Sequence, residues 1–146
     1  MKKKTLLFAL ALFIMTASAV CYAGDNTLTR TITYDKWIAI NLSQEGLVVT
    51  NIIFKTDTEA KTGRFGLGVT RGPYATFSIV NNSGHDMEYG IAVALFDKDN
   101  RLITAADYAQ VGKLNPGENK DEDIVFGPVN LRYAQATYFK IVLEAK

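Results

Sequence analysis

The chain has 146 residues, 48% hydrophobic and 21% charged, with 16 basic against 15 acidic side chains and a net charge of +1. That near-balance excludes the basic excess by which a small protein grips nucleic acid, and the length suits one ordinary domain. A single cysteine, Cys21, excludes an intrachain disulfide framework.

Met1-Lys2-Lys3-Lys4 precedes an apolar run from Leu6 to Val20 that closes on small residues. Positive charge, a short apolar core and small residues in that order form a secretory signal peptide, here residues 1–23. The apolar run, about 15 residues, is shorter than the ~20 that span a bilayer, and no second run follows, so no stable membrane anchor is expected. Cleavage is expected after Ala23, which leaves Gly24-Asp25-Asn26 to open the mature chain. Ala17-Ser18-Ala19 offers a second cleavage site. Lipidation of Cys21 is a third outcome and the one route to a lipid anchor. A lipoprotein signal favours Leu and a small residue where this chain has Ser18 and Val20. Without Lys2, Lys3 and Lys4, the domain at 24–146 carries a net charge near −2. The expected location is periplasmic or secreted.

Short apolar runs separated by turn residues then fill the chain. Thr27 to Tyr34 and Lys36 to Leu42 read as strands. Leu47 to Phe54 is apolar on both faces except at Thr50 and Asn51, which predicts a central strand. Ala75, Phe77 and Ile79 share one face, as do Ile91, Val93 and Leu95, then Ile124 and Phe126, then Phe139, Ile141 and Leu143. Leu102 to Val111 is the best helix candidate, but it fits a strand equally. Turns are expected at Ser43–Gly46, Asn81–Gly84, Asp97–Asn100 and Asn115–Glu118, where Pro116 and Gly117 suit the two central torsions. This punctuation predicts an all-β domain, an immunoglobulin-like β-sandwich of about seven to nine antiparallel strands.

Few residues offer chemistry. His85 is the only histidine. It lies beside Asp86 and near Ser83, so a hydrolytic site there is conceivable, but a solvated loop tip is the better reading. One histidine and no cysteine in the mature chain make a zinc site improbable. Asp97, Asp99 and Asn100 begin like a calcium loop but run into Arg101-Leu102-Ile103 without the glycine and closing glutamate, so a hairpin turn is preferred. Glu118, Asp121, Glu122 and Asp123 read as the protected start of an edge strand. Gly63, Gly66, Gly68 and Gly72, with Arg64 and Arg71, could hold an anion on backbone amides, although a flexible or bulged hairpin is preferred. Tyr34, Tyr74, Tyr89, Tyr108, Tyr133 and Tyr138, with Trp37, supply rings that could stack on sugars or anchor a partner.

Residues 77–118 carry a recognisable order of motifs: Asn81-Asn82-Ser83-Gly84, then Val93-Ala94-Leu95-Phe96-Asp97, then Leu114-Asn115-Pro116-Gly117-Glu118. This order resembles the FxLYD-type immunoglobulin-like domains of exported bacterial proteins. Val93 stands where that family has Phe, and Phe96 where it has Tyr. The resemblance implies a sandwich fold and implies no reaction. Within it, Asp97 is expected to accept backbone hydrogen bonds as the chain turns.

The sequence therefore points to an exported binding or interaction module, with no catalytic residue, no cofactor and no metal. Its partner would be an unidentified protein or glycan of the envelope. Trp37, Arg64, Arg71, Tyr74, His85, Tyr108 and Tyr133 are the candidate contact residues. A coplanar row of exposed rings would favour a carbohydrate- or envelope-polymer-binding module.

Overall fold

The computed structural model describes residues 26–56, 59–61, 69–110, 112–127 and 132–146. The expected signal peptide, its cleavage sites and Cys21 lie outside the described residues. So do Arg64 and the glycines from Gly63 to Gly68.

The described residues form ten strands: β1 (Thr27–Thr31), β2 (Ile38–Gln44), β3 (Leu47–Lys55), β4 (Glu59–Lys61), β5 (Val69–Arg71), β6 (Tyr74–Asn81), β7 (Tyr89–Phe96), β8 (Leu102–Ala109), β9 (Asn119–Val125) and β10 (Tyr138–Ala145). Eight form two antiparallel four-stranded sheets, in the orders β1-β10-β7-β8 and β2-β3-β6-β9, while β4 and β5 pair as a separate hairpin. The segment with an ambiguous helix pattern is strand β8. It lies beside the central strand β7, and pairing with β7 satisfies its backbone.

The alternation expected from the sequence is observed. Ala75, Phe77 and Ile79, then Ile91, Val93 and Leu95, then Phe139, Ile141 and Leu143, are all buried. β3 is central, as expected, but its apolar pattern has a more specific cause. The register shifts between Val49 and Asn51, so Leu47 and Val49 face the core before the shift and Ile52 and Phe54 after it. A bulge reverses the phase of a strand, which is why Thr50 and Asn51 interrupt the apolar run. The turns also behave as expected. Glu45 (φ 52°) and Gly46 (φ 91°) form a two-residue hairpin loop. Asn115–Glu118 closes with Glu118 N–H on the Asn115 carbonyl (3.0 Å) and Gly117 at φ 76°.

β6 pairs with β9 in one sheet and β7 with β10 in the other, and the links β6→β7 and β9→β10 both cross between sheets. This matches the pairing of strands B with E and C with F in immunoglobulin-like domains. The chain departs from that plan at its start. β1 takes the edge beside β10, and β2 adds an edge strand beside β3.

Polar side chains fasten the crossings. Asn81 is fully buried at the end of β6. Its amide donates to the carbonyls of His85 and Leu114 (both 2.8 Å), and its oxygen accepts the Ser83 N–H (2.8 Å). The β6→β7 and β8→β9 links are thus joined through one side chain. Gly46 packs against the same loop, where an added Cβ would meet Ser83 Cβ at 2.9 Å.

Two stability predictions follow from this packing. Phe54 is fully buried against Phe126 and Phe139, so Phe54→Ala should cost about 3–5 kcal/mol in urea unfolding. Asn81→Asp keeps the shape but loses both donated bonds and buries a charge, so the same measurement should show a loss of about 3 kcal/mol.

Candidate functional site

The loops gather at two ends of the sandwich. One end holds the β2–β3 turn, the β6–β7 loop and the β8–β9 turn. The other holds the β1–β2 link, the β4–β5 hairpin, the β7–β8 turn and the β9–β10 link. Trp37, Arg71, Tyr74 and Tyr133 all map to the second end, whereas His85 and Tyr108 lie toward the first.

At the second end the tyrosines are structural and Trp37 is free to act. Tyr34 donates its hydroxyl to the Tyr133 carbonyl, and the two rings meet edge to face with centroids 5.4 Å apart. Tyr133 is buried in a 3-10 turn (Tyr133–Gln135) and donates to the Tyr74 carbonyl (3.0 Å), so it ties the β9–β10 link to β6. Burial pushes the Tyr34 hydroxyl up to about 12 and that of Tyr133 up as well, so both remain donors at any physiological pH. Asp35, in the left-handed region at φ 56°, accepts the Thr56 hydroxyl (2.7 Å) and the Thr56 N–H (3.2 Å). Those bonds hold its carboxyl below the usual range, helped by Lys55 nearby. Tyr34 and Asp35 therefore anchor the link just before Trp37, and β2 begins just after it. Trp37 itself is 52% exposed.

Asp97 closes the same end. Its Oδ1 accepts the N–H groups of Asp99 and Arg101 (both 2.9 Å), the role expected from the sequence. Its Oδ2 receives Arg132 Nη2 (3.1 Å), which links the β7–β8 turn to the β9–β10 connection. The Arg101 N–H, then the Asp99 N–H and the two arginines, hold its carboxyl below the ordinary value of 3.8. Asp97–Asn100 is thus a hairpin turn, as preferred over a calcium loop. Among the described residues no three His, Cys, Asp or Glu side chains converge on a metal position.

The remaining candidates are dispersed. Arg71 pairs through its backbone with Glu59 in the β4–β5 hairpin. His85 is exposed, and Asn81 uses its backbone carbonyl rather than its ring. The Ser83 hydroxyl lies 2.6 Å from Asn81 Oδ1 and 2.8 Å from the His85 carbonyl, so it serves the loop rather than facing the imidazole. Tyr108 is half-buried, stacked on Tyr89 and edge-on to Phe77, with its hydroxyl on Gln110 (2.9 Å). Among the described residues the rings form no exposed coplanar row, because every tyrosine is buried or half-buried. Sequence reasoning missed Asp35, Thr56 and Arg132, and it named Tyr34 only as one ring among several. Only for Asn81 was a signal present: it continues the inward phase of Ala75, Phe77 and Ile79, where a polar residue must find partners.

No family model matches the chain, and no curated protein matches it. Among solved structures the chain is similar to the Salmonella enterica trimeric lipoprotein SadB. The identity is 12%, the TM-score is 0.53, and the match covers 98% of this chain and 71% of that one. At that identity the likeness shows the β-sandwich fold.

The Asp97 cluster sets a pH dependence. A carboxyl held low in the folded protein stabilises it above the unfolded value, and that contribution disappears as pH falls through the folded value. Thermal unfolding between pH 5 and pH 2, at roughly half-unit steps, should therefore show stability falling below pH 3.8. Asp97→Asn should flatten that fall below the ordinary carboxylate value of 3.8.

Proposed function

We propose that this protein is an exported, non-catalytic interaction module of the bacterial cell envelope that contacts a protein partner through the loop end bearing Trp37. The exposure of Trp37 carries the reading. It is 52% exposed at an end where every described tyrosine is drawn into packing or hydrogen bonds. A large ring held out on an anchored link is the kind of group that dominates a protein interface. The signal pattern of residues 1–23 and the FxLYD-type motifs support an exported module, periplasmic or secreted. The fold likeness to a lipoprotein is consistent with an envelope location. A single exposed indole is a small platform for a sugar chain, so a protein partner is favoured over a glycan.

The test is a photo-crosslinking residue placed at position 37, with position 140 on the outer face of the β1-β10-β7-β8 sheet as control, in cells of the native host. A discrete protein adduct from position 37 and none from position 140 is the expected result. Trp37→Ala should weaken binding of that partner by about 2 kcal/mol or more while leaving the melting temperature unchanged. A position 37 that yields no protein adduct, or a Trp37→Ala variant that instead loses retention on cell-wall polymer, would replace this reading.

A further inference from the structure

The outermost strand of a sheet leaves every second backbone N–H and C=O without a partner in that sheet, so an edge is either guarded or available. Of the four edges of the two main sheets, three are guarded. β9 carries Lys120, Asp121, Glu122 and Asp123. β2 shifts register between Ala39 and Leu42, with Asn41 at φ 50°. β1 is five residues long and carries Arg30. β8 is eight residues of small or apolar character interrupted only by Thr104 and Asp107, without proline or lysine. Its one irregularity lies at its start, around Ile103.

The free groups of β8 can be assigned. Gln110 N–H donates to the Tyr89 carbonyl (2.9 Å), one rung beyond the pair Gly90–Ala109. Bonded rungs alternate in an antiparallel ladder, so Gln110, Tyr108, Ala106 and Thr104 turn their backbone groups toward β7. Those of Ala105, Asp107 and Ala109 project from the edge. The side chains of these three residues are exposed on the outer sheet face. Beside them on β7 lie only Ala94, Ala92 and Gly90. Over Gly90 the missing side chain leaves an open groove of about 410 Å³, bordered by Ala109, Glu144 and Lys146. Asp107 and Glu144 take part in none of the ion pairs among the described residues.

We propose that the free edge of β8 is a strand-addition site for an extended segment of another protein carrying arginine or lysine on the side that meets Asp107. This surface is separate from the Trp37 end, and the proposal does not depend on that reading. Charge selects the occupant. In a second copy paired antiparallel and centred on Asp107, two carboxylates stand directly opposite. Centred on Ala106, they stand on a diagonal. Like charges oppose both arrangements. Centring on Ala105 avoids this only by setting Asp107 against Ile103, where the ladder is irregular. A basic side chain on a foreign strand meets Asp107 favourably instead. Its stem lies across Ala109 and the bare backbone of Gly90, toward Glu144. Backbone bonds to Ala105, Asp107 and Ala109 would supply affinity, and alternate side chains would supply selectivity.

The test is amide hydrogen exchange of the ¹⁵N-labelled protein with a short peptide alternating valine and arginine, and with its valine–glutamate counterpart. The arginine peptide should slow exchange at Ala105, Asp107 and Ala109 by about tenfold or more, and the glutamate peptide should not. Asp107→Lys, an exposed surface change, should reverse that preference. Ala105→Pro, which removes one outward N–H, should abolish protection at the edge. Four outcomes would overturn the proposal: no binding of the arginine peptide, binding that leaves the three amides unprotected, equal binding of both peptides, or protection that arises by self-association without peptide.

Discussion

Four links carry the chain from one sheet to the other, and the fold depends on how their polar backbone is satisfied where they cross. Asn81 does this for two of them at once. Its amide reaches the β6→β7 link at His85 and the β8→β9 link at Leu114, and its oxygen caps the turn at Ser83. Buried polar groups must be paired, and a side-chain amide is suited to the task because it both donates and accepts. At the other end Tyr34 and Tyr133 join the β1→β2 and β9→β10 links, and Asp97 holds the second of these through Arg132. Each end of the sandwich is therefore closed by a small number of directional bonds over a common apolar core.

That division of labour explains where the surface is available. Residues that fasten the crossings are buried or engaged, and most of the tyrosines fall in this class. Trp37 escapes it because it sits between two anchors, the Tyr34–Asp35 clasp and the start of β2, outside the apolar core. The edges divide in the same way. β9 turns Asp121 and Asp123 outward, where Ser78 donates to Asp121 (2.5 Å) and Thr76 to Asp123 (2.6 Å) from the neighbouring strand. β8 carries a single carboxylate.

Much of the fold was legible in the sequence because a strand with one buried face must alternate, and Phe77, Ile91, Val93, Leu95, Phe139 and Ile141 do so. Turn chemistry was equally direct: Pro116 and Gly117 admit few conformations, and Asp97 is placed to receive the amides that follow it. The phase reversal in β3 was not legible, since Thr50 and Asn51 mark an interruption without saying that one residue bulges. The identity of β8 was ambiguous for a related reason. An alanine-rich stretch fits either period until a neighbour supplies hydrogen bonds, and β7 supplied them.

By itself the sequence determined the class of the domain, the places where it turns and the residues that face inward, because each follows from local periodicity and backbone torsion. Tertiary structure alone decided which tyrosines are spent on packing, which edge is left open and which distant loops Asn81 and Tyr133 join. Those outcomes depend on contacts between residues distant in the chain, such as the Tyr34 hydroxyl on the Ala136 carbonyl, 102 positions apart, and no local pattern encodes a partner that the fold has yet to bring near.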